Sequence, residues 1–241
     1  MSDTLIIMGL YKYIRDGVFN PVRYKKTIEE IKMFLNINRY FIEKNNVIVL
    51  AGDSQSEKIL KSLNLKVHWV FNELPAIIQN NKAHLMKHYM VAWALKKYKK
   101  DVLWVDWDNV VIKSTDDDFW KKCKKYGTPK FIYIPNYWAV VNCGVYYAPY
   151  SWLHCIEDSF SLAEVKSIRN DELLWAYCLP EDVQVKKEYW LGNMALNIWT
   201  LSEIKNITAE TYFAHVRSLN FYSHIIEYLK DKGIVGGDNS E

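Results

Sequence analysis

Long apolar runs are missing from this chain: nowhere in its 241 residues do eighteen apolar residues follow one another, so no membrane-spanning helix is expected. Cysteine is sparse. Cys123, Cys143, Cys155 and Cys178 form no C-x-x-C pair, which leaves free thiols suited to a reducing compartment rather than a disulfide framework. A strong charge of one sign is also lacking, the net charge being +3. The basic runs KKYKK (96–100) and KKCKK (121–125) are short and read as solvated helix ends, where lysines complement the helix dipole, so a nucleic-acid partner is not expected. The start MSDTLIIMGLY has no basic n-region or long h-region, and cytoplasmic localisation follows as the expectation. Internal repeats, low-complexity blocks and Pro/Gly/Ser linkers are all absent from the sequence, so a single domain over 1–231 with a flexible tail at 232–241 is the economical division.

What is present is alternation. TLIIMGLY (4–11), NVIVLAGD (46–53), KVHWVF (66–71), DVLWVDWD (101–108) and FIYIP (131–135) are apolar runs rich in β-branched and aromatic residues, and they predict strands. Between them, 24–35 and 82–98 carry apolar residues at helical spacing, and SQSEKILKSL reads as a short helix after Asp53. Strands alternating with helices predict an α/β fold with a Rossmann-like, mostly parallel central sheet, whose ligand crevice lies at the carboxyl ends of the strands. The second half is mixed. AVVNCGVYYAP predicts a strand, 151–168 and 171–178 helices, VQVKKEYW and ITAETYFAHV short strands, and FYSHIIEYLKDKG a closing helix.

One stretch stands out chemically. In DVLWVDWDNVVI, Asp106 and Asp108 sit on one side of the chain and Trp107 on the other, where the strand should run out. Two carboxylates so close repel and resist burial unless a cation, a lysine or water joins them. A hard divalent metal completed by phosphate oxygens suits that pair, and a strand end with two solvated aspartates is the plainer alternative. His84 and His88 are spaced i, i+4, but no H-E-x-x-H glutamate lies between them, so a zinc site is not expected there.

The order of the motifs carries a resemblance. NNKAHLMKHYMVAWALKKYKKDVLWVDWDNVVI, a basic residue opening a long helix before a strand that ends in D-x-D, resembles the centre of the GT-A nucleotide-sugar glycosyltransferases. VVNCGVYYAP (140–149), RNDELLWAY (169–177) and AHVRS (214–218) follow in the order of the family-eight type, which includes glycogenin-like and lipooligosaccharide galactosyltransferases. The resemblance spans about residues 4 to 220. One departure is that HVRSLNF lacks both the Gly and the Lys of that family's C-terminal phosphate loop. The trimmed size and the Lys/Asn/Ile/Tyr-rich composition also resemble those of compact enzymes encoded by large DNA viruses, which would act in the host cytoplasm.

The resemblance implies a metal-dependent glycosyltransferase that takes a UDP-linked hexose and passes it to a hydroxyl of a glycan or glycoprotein. Its nucleotide-binding half would be about 1–110, and its acceptor and sugar half about 111–231. It implies metal ligation by Asp106, Asp108 and His215, a set whose nitrogen favours Mn2+ over Mg2+; a hydrogen-bonded histidine on a strand is the alternative for His215. The nucleotide would meet Gly9, Leu10 and Tyr11 at the first strand end, Asp53, Lys82, Trp107 and the phosphate-holding Arg217. For Asp53 an N-cap is the alternative. Lys82 at a helix N-terminus opposes the dipole, which speaks for a ligand.

His84, Asn142, Cys143 and Gly144 would line the sugar pocket, Gly144 by leaving room. Asp171 or Glu172 would act as the base toward the acceptor, the alternative being first-turn acids in a helix capped by Asn170. Trp138 and Trp190 are candidate faces for a sugar acceptor. A non-catalytic nucleotide-sugar-binding protein is the rival from another class. A sugar-phosphate nucleotidylyltransferase is a rival enzyme, but GLYKYIRDGVFN after the first strand is too poor in glycine for its phosphate loop.

Overall fold

The computed structural model describes residues 4–15, 17–45, 47–71, 83–134, 141–165, 171–180 and 186–234. Among these, a six-stranded sheet has the order β5-β4-β1-β6-β9-β8. Its strands are β1 (Thr4–Leu10), β4 (Ile48–Ala51), β5 (Val67–Trp69), β6 (Asp101–Val105), β8 (Lys130–Tyr133) and β9 (Val141–Ala148). β5, β4, β1 and β6 run parallel, and β9 and β8 add an antiparallel edge. The expected α/β architecture, a mostly parallel sheet flanked by helices, is what forms. No helix among the described residues is long and apolar enough to cross a membrane.

Period-two alternation in β6 explains how one strand serves both faces. Val102 and Trp104 pack on one side with Ile7, Met90 and Tyr146, while Leu103 and Val105 pack on the other with Met8, Phe34 and Trp107. Trp107, 3% exposed, meets the Phe34 ring edge-on at 5.4 Å and donates Nε1–H to the Gly9 carbonyl at 2.8 Å. That anchor fixes the turn after β6. With Trp107 pinned in the core, Asp106 and Asp108 face the opposite way.

Helix α1 (Pro21–Lys44) is capped by Asn20, whose side chain accepts from the Arg23 N–H. It kinks at the buried Asn38, which donates to the Asn109 carbonyl at 3.3 Å and accepts from the Val111 N–H at 3.2 Å. The kinked helix is thereby tied to β7 (Asn109–Val111), the strand that leaves the aspartate turn. β7 belongs to a second sheet of order β10-β11-β7, with β10 (Ala195–Ile198) parallel to β11 (Phe213–Val216) and β7 antiparallel to it. Helix α2 (Ser54–Ser62) follows β4. Helix α3 (Ala83–Tyr98) precedes β6, α4 (Asp117–Lys124) follows β7, and α5 (Leu153–Val165) and α6 (Asp171–Cys178) follow β9. Helix α7 (Phe221–Asp231) closes the described chain.

Two expectations for the second half need correction. The described part of VQVKKEYW is a short 3-10 turn, Lys187–Tyr189, and only Trp190 bridges to Phe131. In ITAETYFAHV the strand is confined to Phe213–Val216, because Thr208 and Thr211 close a turn on each other before it. The hairpin of β2 (Ile14–Arg15) and β3 (Val18–Phe19), with β7 and β10, was not anticipated. Such short strands exist through the partners they pair with rather than through their own patterning. Lys82, Trp138, Asn170 and residues 235–241 of the expected tail lie outside the described residues, as do the side chains of His84 and Asp171.

Candidate metal centre and donor cavity

At the carboxyl end of β1 and β6, a cavity of about 240 Å³ opens between α1, α3, β9 and β11. It brings together ten of the residues singled out in the sequence: Gly9, Tyr11, Asp106, Trp107, Asp108, Asn142, Cys143, Gly144, Glu172 and His215. Leu10, Asp53 and Arg217 do not line it. Leu10 is buried in the core. Asp53 caps α2, accepting from the Ser56 N–H at 2.9 Å and the Ser56 hydroxyl at 2.6 Å, and it also accepts from the Lys12 N–H at 2.8 Å. Arg217 is exposed just beyond the end of β11. His88 has its ring packed against Tyr146 and Trp175 in the core, away from the cavity lining. Trp190 packs on Tyr133 at 4.7 Å, also outside the cavity.

The core of the site is a cluster of Asp106, Asp108 and His215, whose ligand atoms all lie within 4.8 Å of one another. Pairing of β11 with β7 sets His215 opposite Asn109, and the Val216 N–H donates to the Asp108 carbonyl at 2.8 Å. The His215 ring is then oriented by Asn197 on β10, whose Oδ1 lies 2.6 Å from Nδ1. That contact makes Nδ1 the donor and leaves Nε2 facing the carboxylates, as in metal-binding histidines. Gly144 makes this possible: a Cβ there would lie 2.5 Å from His215 Cδ2. The room left by Gly144 is therefore filled by the imidazole itself.

Electrostatics show what the cluster lacks. Asp106 Oδ1 accepts from the Trp104 indole at 2.6 Å, and Oδ2 pairs with Lys87 Nζ at 2.6 Å. Lys87 also donates to the Cys143 carbonyl at 3.1 Å. Burial pushes the Asp106 carboxyl above the usual carboxylate range, Lys87 pulls it back and Asp108 adds to the rise. Burial works the same way on Asp108, but His215, together with Arg23 and Lys87, outweighs it and holds Asp108 below the usual range. For His215, burial favours the neutral ring, and the charge of Asp108 reverses this and raises its pKa. Yet the buried Asp108 Oδ1 has no hydrogen-bond partner, although His215 Nε2 is 3.2 Å away.

Counting the described lining residues, Asp106, Asp108, Glu30 and Glu172 face two permanent cations, Arg23 and Lys87. A divalent ion would add positive charge to this lining. Two carboxylates and an imidazole are also a donor set that such an ion accepts, so the residues present fit a metal.

Lys87, Arg23, Glu30 and Asn197 escaped the sequence reading. Lys87 was findable as a lone cation inside the apolar turn HLMKHYM, and Arg23 as a cation in the first turn of a helix, where the dipole disfavours it. Lys87→Met should lower the stability of the metal-free protein by about 3 kcal/mol, because it strands Asp106 without its cation. Urea unfolding with and without Mn2+ tests this: the metal should restore much of the loss, and restoration of none would show that Lys87 is not the stand-in for a cation.

The fold and the site together define a GT-A-like α/β scaffold carrying a candidate metal centre at the carboxyl edge of its sheet. The chain is similar in structure to a glycosyltransferase involved in the glycosylation of the major capsid of PBCV-1. The TM-score is 0.51 at 12% identity, and the match covers 94% of this chain and 99% of that one. Mouse xyloside xylosyltransferase 1 in its apo form (TM-score 0.48, 10% identity, 88% of this chain and 97% of that one) is also similar. So is the glycosyltransferase GlyE of Streptococcus pneumoniae TIGR4 (TM-score 0.49, 11% identity, 100% and 66%). No protein-family model and no curated protein matches the sequence.

Proposed function

We propose that this protein is a metal-dependent glycosyltransferase that moves a hexose-type sugar from a UDP-sugar to a hydroxyl of a glycan or glycoprotein acceptor. The observation that carries this reading is the Asp106, Asp108 and His215 cluster, set where a GT-A-like sheet presents its ligand crevice. Asp106, Asp108 and His215 would hold the ion, Mn2+ by the chemistry of the imidazole. When bound, the ion would act as a Lewis acid that stabilises the charge growing on the leaving diphosphate.

The chain's own groups then have distinct tasks. Tyr11 and Tyr13, stacked at 6.3 Å along the cavity wall, offer flat faces to the nucleotide base. Asn142 ties the sugar side together, accepting from the Gly144 N–H at 2.9 Å and donating to Glu172 Oε1 at 3.2 Å. Glu172 is the carboxylate so held at the cavity wall, and it takes the role of base or positioning group toward the acceptor hydroxyl.

Thermal unfolding with UDP and with GDP, each with and without Mn2+, tests the reading. A ligand at a hundred times its dissociation constant adds about 2.7 kcal/mol, or about 5–10 °C in a domain of this size. UDP should shift the transition only when Mn2+ is present, and GDP should shift it less. A flat response to both nucleotides under every metal would remove the reading's chemical centre. UDP binding without hydrolysis of any UDP-sugar would favour a non-catalytic binding protein.

A further inference from the structure

Once a divalent ion has balanced the carboxylates, the cavity still has to accommodate the two negative charges of a donor diphosphate. Among the described residues lining it, the cationic side chains are Lys87, Arg23 and, when protonated, His215. Lys87 is committed to Asp106 at 2.6 Å, and His215 belongs to the metal cluster. Arg23 is placed differently. Its guanidinium lies over the Tyr13 ring at 5.6 Å and pairs with Glu30 only at 3.7 Å, with its side chain 37% exposed at the mouth. Glu30 is buried and has a second cation, Lys26, at 3.4 Å, so it keeps a partner if Arg23 turns away. A cation in the first turn of α1, where no acidic residue offsets it, opposes the helix dipole, and its contact within the helix is the long pairing with Glu30.

On the strength of the glycosyltransferase reading above, we propose that Arg23 binds the donor's diphosphate, moving from Glu30 onto phosphate oxygens while Lys26 holds Glu30 in place. The planar guanidinium suits two phosphate oxygens at once, and the Tyr13 ring supports it from behind. Arg23 is thus a binding residue contributed by α1.

The test compares wild type, Arg23→Gln and Arg23→Lys in the presence of Mn2+, with UDP followed by calorimetry and uridine by titration NMR. Arg23→Gln should weaken UDP about ten- to a hundredfold and leave uridine unchanged. Arg23→Lys should recover part of the loss, keeping the charge but not the fork. With Mn2+ bound, the melting temperature of Arg23→Gln should change little, because the lost Glu30 pairing is shared with Lys26 and the charge opposing the dipole is gone. Undiminished UDP affinity in Arg23→Gln, or an equal loss for uridine, would overturn the assignment while leaving the enzyme reading intact. Failure of wild type to bind UDP with Mn2+ would overturn both.

Discussion

Asp108→Asn is expected to abolish sugar transfer, lowering the rate by at least about a thousandfold, while the protein folds and melts nearly as before. Asn fills the same volume, so the turn between β6 and β7 keeps its anchors: Trp107 on Gly9, and the Val216 N–H on the residue 108 carbonyl. What disappears is charge. The metal-free protein gives up the 3.2 Å pairing of Asp108 with His215 and also loses the repulsion between neighbouring carboxylates, two effects of opposite sign that leave its stability nearly level. The large cost falls on cation binding, because one of the two anionic ligands is gone. His215, whose pKa Asp108 holds up, should fall back toward its ordinary range in the variant. Mn2+ titration by electron paramagnetic resonance, circular dichroism and donor turnover together check the result. Retained transfer with metal still bound would sink the metal-centre reading.

The second large effect comes from a single methyl group. Gly144→Ala should cut Mn2+ binding and transfer by about a hundredfold, although residue 144 contributes no ligand atom. The added carbon would lie 2.5 Å from Cδ2, 2.6 Å from Cγ and 2.7 Å from Nε2 of His215. Carbon atoms rest at about 3.5–4.0 Å, so either the ring or β9 must give by about 1 Å. The ring cannot rotate out freely, because Asn197 holds Nδ1 at 2.6 Å. β9 cannot retreat freely either, since the Gly144 carbonyl accepts from the Asp106 N–H at 2.8 Å and from the Asn109 side chain at 3.2 Å. Overpacking of this kind costs about 1–3 kcal/mol in stability. The double variant Gly144→Ala/His215→Ala separates the causes: with the imidazole gone the stability loss should vanish, a coupling that a double-mutant cycle reads directly. Wild-type Mn2+ affinity in Gly144→Ala would show that His215 is not held where the structure puts it.

Legibility in the sequence divided along a physical line. Strands β1, β4, β6 and β9 could be read because each is a continuous β-branched and aromatic run buried on both faces. The D-x-D pair was readable for the same reason, since two carboxylates closing such a run are conspicuous. Asn142, Gly144 and His215 came from the order of motifs along the chain. Asp53 is an N-cap, its oxygens spent on Ser56 and Lys12. Short pairs such as β7 and β10 stayed hidden because nothing in three or four residues announces a strand whose partner lies elsewhere in the chain. Lys87, Arg23, Glu30 and Asn197 stayed hidden because a charged or amide side chain on a helix or strand looks solvated until the fold shows what it faces.

The sequence by itself determined the order of the central strands and of the helices between them, the burial of both faces of those strands, and the presence of two carboxylates at one strand end. Hydrophobic periodicity and local turn chemistry act over a few residues, so one dimension suffices to show them. Only the tertiary structure decided that Asp108 meets His215 across 107 positions of chain, that Lys87 shields Asp106, and that a glycine on β9 makes space for the imidazole. Those contacts depend on strand order and register, which set distant residues a few ångströms apart and leave no local mark.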